Sequence, residues 1–294
     1  MSDDVTDHPG TGARTLLITG ATDGIGLETA KRLAALGHNL LLHGRNSAKL
    51  EAARVAVIGI GGSGRVDTHL ADLSQLSQVA QLAQDVSNSL AARSTQLDVL
   101  INNAGVYKTP QTVTADGLDV RFVVNTLAPC LLATLLMPHM PARARVVNLS
   151  SAAQAPVDLR AMAGEVRVGD MEAYAQSKLA LTIWSQETGA RLGPQGPVLI
   201  AVNPGSLLAS KMVTEGFGVA GSDLGIGADI LVRAALDEAF AAATGKYFDN
   251  DAGVFAAPHR AAADPTQAGA IVSAIGTAIS AHTDSPVGPK GALS

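Results

Sequence analysis

The order of short apolar runs constrains this chain more than any other feature. Residues 14–19, 39–43, 66–70, 97–101, 145–149 and 198–202 are runs of five or six residues rich in Leu, Ile and Val. Between them lie stretches whose apolar residues recur at helical spacing, at 24–36, 47–57, 74–91, 120–137 and 171–192. A strand that is apolar on both faces must be covered on both faces, and strands alternating with helices build a parallel sheet. The expected fold class is therefore α/β, a doubly wound parallel sheet with helices on both faces. No internal repeat or compositional break divides the chain. Residues 13–283 read as one domain, with flexible tails at 1–12 and 284–294.

Such a sheet needs a large core, and the composition supplies it: 47% of residues are apolar and 16% charged. A formal net charge of −5, with no cluster of lysine or arginine, gives no surface for a nucleic acid, and none is expected as a partner. One cysteine, Cys130, excludes a disulfide framework and any multi-thiolate zinc site; among Leu127, Leu131 and Leu132 it reads as a small core residue. The seven histidines are scattered, so no metal site is expected. The N-terminal residues lack the positive start and apolar centre of a signal peptide. The longest apolar stretch, 127–137, is interrupted by Pro129 and Thr134. A cytoplasmic protein without a membrane partner is the expectation. Residues 245–251 lack calcium-loop spacing and read as a strand and turn, and 261–280 as a peripheral helix.

The turn Thr19-Gly-Ala-Thr-Asp-Gly-Ile-Gly26 separates the first strand from the first helix. Glycine there allows a tight turn and close approach of backbone to a pyrophosphate, which would face the free N–H groups of the helix start. The spacing matches TGxxxGIG, and with it the chain resembles the short-chain dehydrogenase/reductase family. Further motifs follow in order: Asp72 after the third strand, Asn102-Asn-Ala-Gly105 after the fourth, Asn125, Asn148-Leu-Ser-Ser151, Tyr174-Ala-Gln-Ser-Lys178, and Asn203-Pro-Gly205. The resemblance runs from about residue 14 to 249 and implies a Rossmann-like NAD(P)-binding fold. It implies a dinucleotide held by Gly20, Thr22, Asp23, Gly24, Ile25 and Gly26, by Arg45, Asp72 and Leu73, and by Asn103, Ala104 and Gly105. Tyr174, Lys178, Pro204, Gly205 and Leu207 complete that set.

Tyr174 and Lys178 are four residues apart, one turn apart on a single helix face. A phenol with a pKa of about 10 transfers protons poorly at neutral pH unless its anion is stabilised. The Lys178 ammonium and a nicotinamide cation would do that, lowering the phenol's pKa. The resemblance implies that Ser151 orients the substrate oxygen, that Lys178 also holds the nicotinamide ribose, and that Asn125 binds a water linking Lys178 to solvent. The expected activity is hydride transfer between nicotinamide and a carbonyl or alcohol, with reduction of an apolar ketone or aldehyde by NADPH favoured. Reduction of a carbon–carbon double bond and non-catalytic sensing of NAD(P) are the alternatives.

Two departures from the family pattern concern the substrate side. Twenty-two residues separate Ser151 from Tyr174, an interval that resembles the retinol-dehydrogenase-like branch. Ala209 stands where many members carry threonine, leaving Ser206 or Ser210 to meet the carboxamide. Pocket walls at 152–173 and 206–224 offer Pro156, Val157, Leu159, Met162, Leu207, Leu208, Met212 and Phe217, which lean toward an apolar ligand, and 207–224 reads as a flap. At the end of the second strand no acidic residue selects NAD; Gly44 holds that place and Arg45 follows. Arginine there accommodates a 2′-phosphate, so NADP is expected and NAD is possible, although Asp23 in the glycine turn opposes the phosphate. The resemblance further implies a homodimer or homotetramer paired through the helices at 120–137 and 171–192.

Overall fold

The computed structural model describes residues 12–206 and 223–283. Eight strands form one sheet: β1 (Thr15–Ile18), β2 (Asn39–Gly44), β3 (Val66–Leu70), β4 (Val99–Asn102), β5 (Arg145–Leu149), β6 (Val198–Asn203), β7 (Lys246–Asp249) and β8 (Val254–Ala256). Their order is β3-β2-β1-β4-β5-β6-β7-β8, parallel throughout except for β8, which pairs antiparallel with β7. The doubly wound parallel sheet with helices on both faces is thus realised, and the antiparallel edge strand is an addition to it. The order reverses between β1 and β4. Ligands in such sheets bind outside the carboxyl ends of the strands at that reversal.

Successive strand residues feed opposite layers, as the pleat requires. Leu17, Leu41, Leu100, Val146 and Leu199 pack on one face against α3 (Leu76–Ala92), α5 (Ala128–Leu136) and α7 (Asp170–Leu192). Leu16, Ile18, Leu40, Leu42, Val147 and Ile200 pack on the other against α1 (Gly24–Ala35), α2 (Ser47–Ile58) and α8 (Leu224–Leu236). The helix α9 (Pro265–His282) is the outer layer that the sequence suggests at 261–280. It buries Ile271, Val272, Ile275 and Ile279 in the first layer and lies on α7. The chain's own last helix therefore occupies part of the face that the resemblance assigns to subunit pairing.

The continuous helix expected at 120–137 is corrected. A single turn α4 (Val120–Phe122) passes into a π-helical turn, Val123–Leu127, before α5, and a 3₁₀ turn follows at Met137–His139. Pro129 has no N–H to donate to the carbonyl of Asn125, and the Ala128 N–H reaches back five residues to Val123. Val120–His139 has the length of a membrane span, and an 18-residue window within it has a mean hydropathy of 1.7, but 94% of that window is buried inside the protein. Cys130 lies in this core and is buried. Met162, expected as a pocket wall, ends the short helix α6 (Leu159–Met162) and is also a core residue, 1% exposed and packed in the α3–α7 layer. Strand β4 begins two residues later than expected because the Leu97 N–H is drawn to the His139 carbonyl. The tails at 1–11 and 284–294, and 207–222 of the expected flap, lie outside the described residues.

Candidate active site

A crevice of about 520 Å³ opens at the carboxyl ends of β1, β2 and β4. Every cofactor-side residue named above lines it except Gly205, which stands just beyond, and Leu207, which lies outside the described residues. Its floor is the glycine turn. Gly20 has φ +65° and Gly24 +54°, the left-handed region that favours glycine. A Cβ on Gly26 would stand 2.4 Å from both the Asn103 amide nitrogen and the Gly20 oxygen. That closeness has a purpose: Asn103 Nδ2 donates to the carbonyls of Thr19 (2.8 Å) and Gly20 (3.0 Å), and the Ala104 N–H donates to Thr19 Oγ1 (3.1 Å). The loop after β4 thereby clasps the turn after β1.

Asp23, the N-cap of α1, makes no capping hydrogen bond, so the first-turn N–H groups stay available at the positive end of the helix. This fits the pyrophosphate of a dinucleotide. Asp23 instead faces Lys49 on the first turn of α2, with 3.9 Å between Nζ and Oδ2 and both side chains more than half exposed. Lys49 lines the crevice beside Arg45. Sequence reasoning missed it because a lysine three residues past the Asn46 N-cap looks like an ordinary helix-surface residue. Arg45 is exposed and has no ion-pair partner among the described residues. Asp72 turns Oδ1 back to the Ser74 N–H (3.0 Å), while its own N–H donates to Gln78 (2.8 Å).

At the other end Tyr174 and Lys178 line the crevice, with Ser150; Ser151 is not among the lining residues, but its hydroxyl contacts Tyr174. Lys178 is buried, its Nζ donating to the Leu149 carbonyl at 2.6 Å and standing 5.7 Å from the centre of the Tyr174 ring. Burial pushes its pKa down to about 8, because the charged form loses hydration. Tyr174 is pushed above its ordinary value, first by burial and further by neighbouring Tyr107, while its contact with the Ser151 hydroxyl works the other way. The expected lowering of the phenol is therefore not a property of the protein alone. Tyr107 packs edge-on against Tyr174 at 5.4 Å between ring centres. The Ser151 hydroxyl accepts the Ala153 N–H at 3.1 Å, and its carbonyl is held by Gln154 Nε2 (2.9 Å) and the Tyr247 hydroxyl (3.2 Å).

Asn125 sits in the π turn with its side chain already engaged. Oδ1 accepts the Val106 N–H at 2.8 Å, and Nδ2 donates to the Val106 carbonyl and Ser177 Oγ, both at 3.0 Å. It brings the loop after β4 to the middle of α7. A buried chain then runs from Asn102 to Asn148 (2.8 Å) and from Asn148 to Ser185 (2.8 Å), fastening β4, β5 and α7. Beyond Pro204, Ser206 gives both its N–H (2.8 Å) and its hydroxyl proton (2.5 Å) to Asp251. Its hydroxyl is thus committed to the β7–β8 turn; Ser210 lies outside the described residues. Asp249 and Asp251 also accept from Asn203 Nδ2, so the acidic turn serves as an anchor for the Pro-Gly step.

A second cavity, of about 490 Å³, opens at the opposite ends of the strands among Thr15, Asn39, Asp67 and Arg93. Arg93 and Asp67 pair there at 2.8 Å beside a second cation, Arg65, and none of the motifs reaches it. The chemistry belongs to the first crevice.

Comparison with known proteins agrees with this geometry. Residues 14–217 match the family model described as short chain dehydrogenase. Human retinol dehydrogenase 13 is 33% identical over 80% of this chain and 76% of its own length. Bovine retinol dehydrogenase 12 is 34% identical over 69% of this chain and 64% of its own. Among solved structures, a protein from Mycobacterium paratuberculosis superposes with a TM-score of 0.75 at 29% identity, over 93% of this chain and 96% of that one. The landomycin C-6 ketoreductase LanV, solved with NADP and rabelomycin, gives 0.64 at 28% identity, over 81% and 94%. The chain belongs to the short chain dehydrogenase family, as an oxidoreductase acting on CH–OH and C=O groups.

Proposed function

We propose that the protein reduces the carbonyl of an apolar ketone or aldehyde with NADPH. The observation that carries this reading is the division of one crevice: Tyr174, in contact with the Ser151 hydroxyl, and Lys178 stand at one end, and Arg45, without an ion-pair partner among the described residues, stands with Lys49 at the other. NADPH, when bound, supplies the hydride. The Tyr174 hydroxyl gives its proton to the carbonyl oxygen, and the Ser151 hydroxyl fixes that oxygen by a hydrogen bond. The Lys178 ammonium then steadies the phenolate left behind. Hydride plus proton completes the alcohol, and the phenol is recharged from solvent. Asn125 Oδ1 accepts one N–H and keeps a second lone pair, which would hold the relay water.

At the adenosine end, Arg45 and Lys49 present two cations where a 2′-phosphate would lie, and the Lys49 charge offsets Asp23. The NADP bound in LanV and the ketoreduction named for it support the same assignment. A panel of ketones, aldehydes and enones, followed by NADPH absorbance and repeated with NADH, tests the reading. Carbonyl turnover with kcat/KM at least about tenfold higher for NADPH is expected, as one good charge-assisted contact supplies. Preference for NADH, or turnover of enones alone, would overturn it.

A further inference from the structure

One residue that lines the crevice belongs to none of the motifs. His43, near the end of β2, is 3% exposed, and its imidazole is used at both nitrogens. Nδ1 accepts the Gly20 N–H at 3.3 Å, and Nε2 stands 3.0 Å from the Ala71 carbonyl. An amide N–H only donates and a carbonyl only accepts. The two contacts together therefore fix the ring as neutral, with its proton on Nε2. A protonated ring would turn an N–H against the Gly20 N–H. Burial, the largest influence, pushes the His43 pKa down to about 4, in line with this.

The two backbone groups are not arbitrary. Gly20 opens the phosphate-binding turn, and Ala71 immediately precedes Asp72 and Leu73, which line the adenine side of the same crevice. The main chain runs parallel to the ring: the Ala21 N–H donates to the His43 carbonyl at 2.9 Å, and the Ala71 N–H to the Gly44 carbonyl at 3.2 Å. We propose that His43 is a positioning residue for the cofactor's adenosine half, tying the glycine turn to the Asp72 loop so that both stand at their binding separation before the dinucleotide arrives. Such preorganisation raises affinity by removing an ordering cost from the binding step. The proposal rests on the reading of the crevice as an NADP(H) site.

The test uses the full chain and three probes: NADPH, 2′,5′-ADP for the adenosine half, and reduced nicotinamide mononucleotide for the other half. His43→Leu removes both side-chain bonds, and His43→Gln restores a donor and an acceptor at similar separation. For His43→Leu the Kd of NADPH and of 2′,5′-ADP should rise roughly tenfold, as expected for losing a buried hydrogen-bonding link. Mononucleotide affinity and kcat at saturating NADPH should change less than about twofold, and His43→Gln should recover most of the lost affinity. If His43→Leu does not fold, His43→Asn, which keeps one of the two bonds, should bind 2′,5′-ADP several-fold more weakly than wild type. Wild-type affinity for 2′,5′-ADP in His43→Leu or His43→Asn would overturn the proposal, as would an equal loss of mononucleotide affinity. Wild-type protein that binds neither NADPH nor 2′,5′-ADP would instead overturn the cofactor reading itself, and this inference with it.

Discussion

The two ends of the crevice are built on opposite principles. Around Tyr174 the polar groups are buried and engaged: Lys178 on the Leu149 carbonyl, Asn125 on Val106 and Ser177, Asn148 between Asn102 and Ser185. At the adenosine end His43 is buried too, but the charged groups, Arg45, Lys49 and Asp23, are exposed, and the Lys49–Asp23 pair is stretched to 3.9 Å. Buried polar networks are costly to disturb because a stranded partner cannot turn to water. Exposed charges are screened by salt and individually contribute little. Under the proposed function, reaction chemistry rests on packed groups, whereas cofactor choice rests on a few surface charges that can change without loss of the fold.

Lys178→Ala should have the largest effect of the substitutions that probe this contrast. It strands the Leu149 carbonyl and removes the charge beside Tyr174, so kcat should fall by about 10²-fold or more, with weaker NADPH binding as well. A change confined to KM would show that Lys178 does not act on the phenol. Gly26→Ala comes next. The added Cβ meets Asn103 Nδ2 and the Gly20 oxygen at 2.4 Å, so the clasp between the two loops must open. NADPH affinity should fall roughly tenfold or more, read by fluorescence titration, because a displaced turn loses the close approach it provides. Wild-type affinity would mean that the turn is more yielding than its geometry implies.

The pH profile gives a smaller, graded effect. The pKa of Lys178 is lowered from 10.5 to about 8, so the ammonium is full below that value and is lost as pH rises through it. The kcat/KM for carbonyl reduction, which reports the free enzyme, should therefore decline above about pH 8. Because burial disfavours the charged lysine, the fold should gain stability between about pH 8 and 10.5, where only the unfolded chain still holds that proton. A flat kcat/KM profile to pH 10 would separate Lys178 from the proton transfer. Arg45→Ala should do least: a several-fold loss of NADPH preference, shrinking as salt is raised, with kcat nearly unchanged. An unchanged NADPH-to-NADH ratio would remove Arg45 from cofactor selection.

What the sequence made legible follows from locality. Strands such as 145–149 and the TGxxxGIG turn are set by residues adjacent in the chain, and the structure places them as expected, at Arg145–Leu149 and at the mouth of α1. The four-residue step from Tyr174 to Lys178 is likewise a property of one helix. The illegible parts depend on distant partners. His43 looks like the end of a strand until Gly20 and Ala71 are brought to it, and Lys49 like a surface lysine until α2 faces Asp23. The acidity at Asp249 and Asp251 gains meaning only from Asn203 and Ser206, more than forty positions earlier. The π turn at Asn125 lies between these cases. Pro129 was visible as its cause, but the helical spacing on either side masked the break.

The account holds that chemistry and cofactor binding are separable along the crevice, and Tyr174→Phe tests this in one protein. The ring can still pack against Tyr107, while the transferable proton is gone. The decisive measurement pairs the Kd of NADPH with single-turnover hydride transfer to a ketone substrate in that variant. The predicted result is a Kd within about twofold of wild type and a transfer rate reduced by about 10²-fold or more. A variant that keeps more than about a tenth of the wild-type rate would contradict the assignment of Tyr174 as the proton donor.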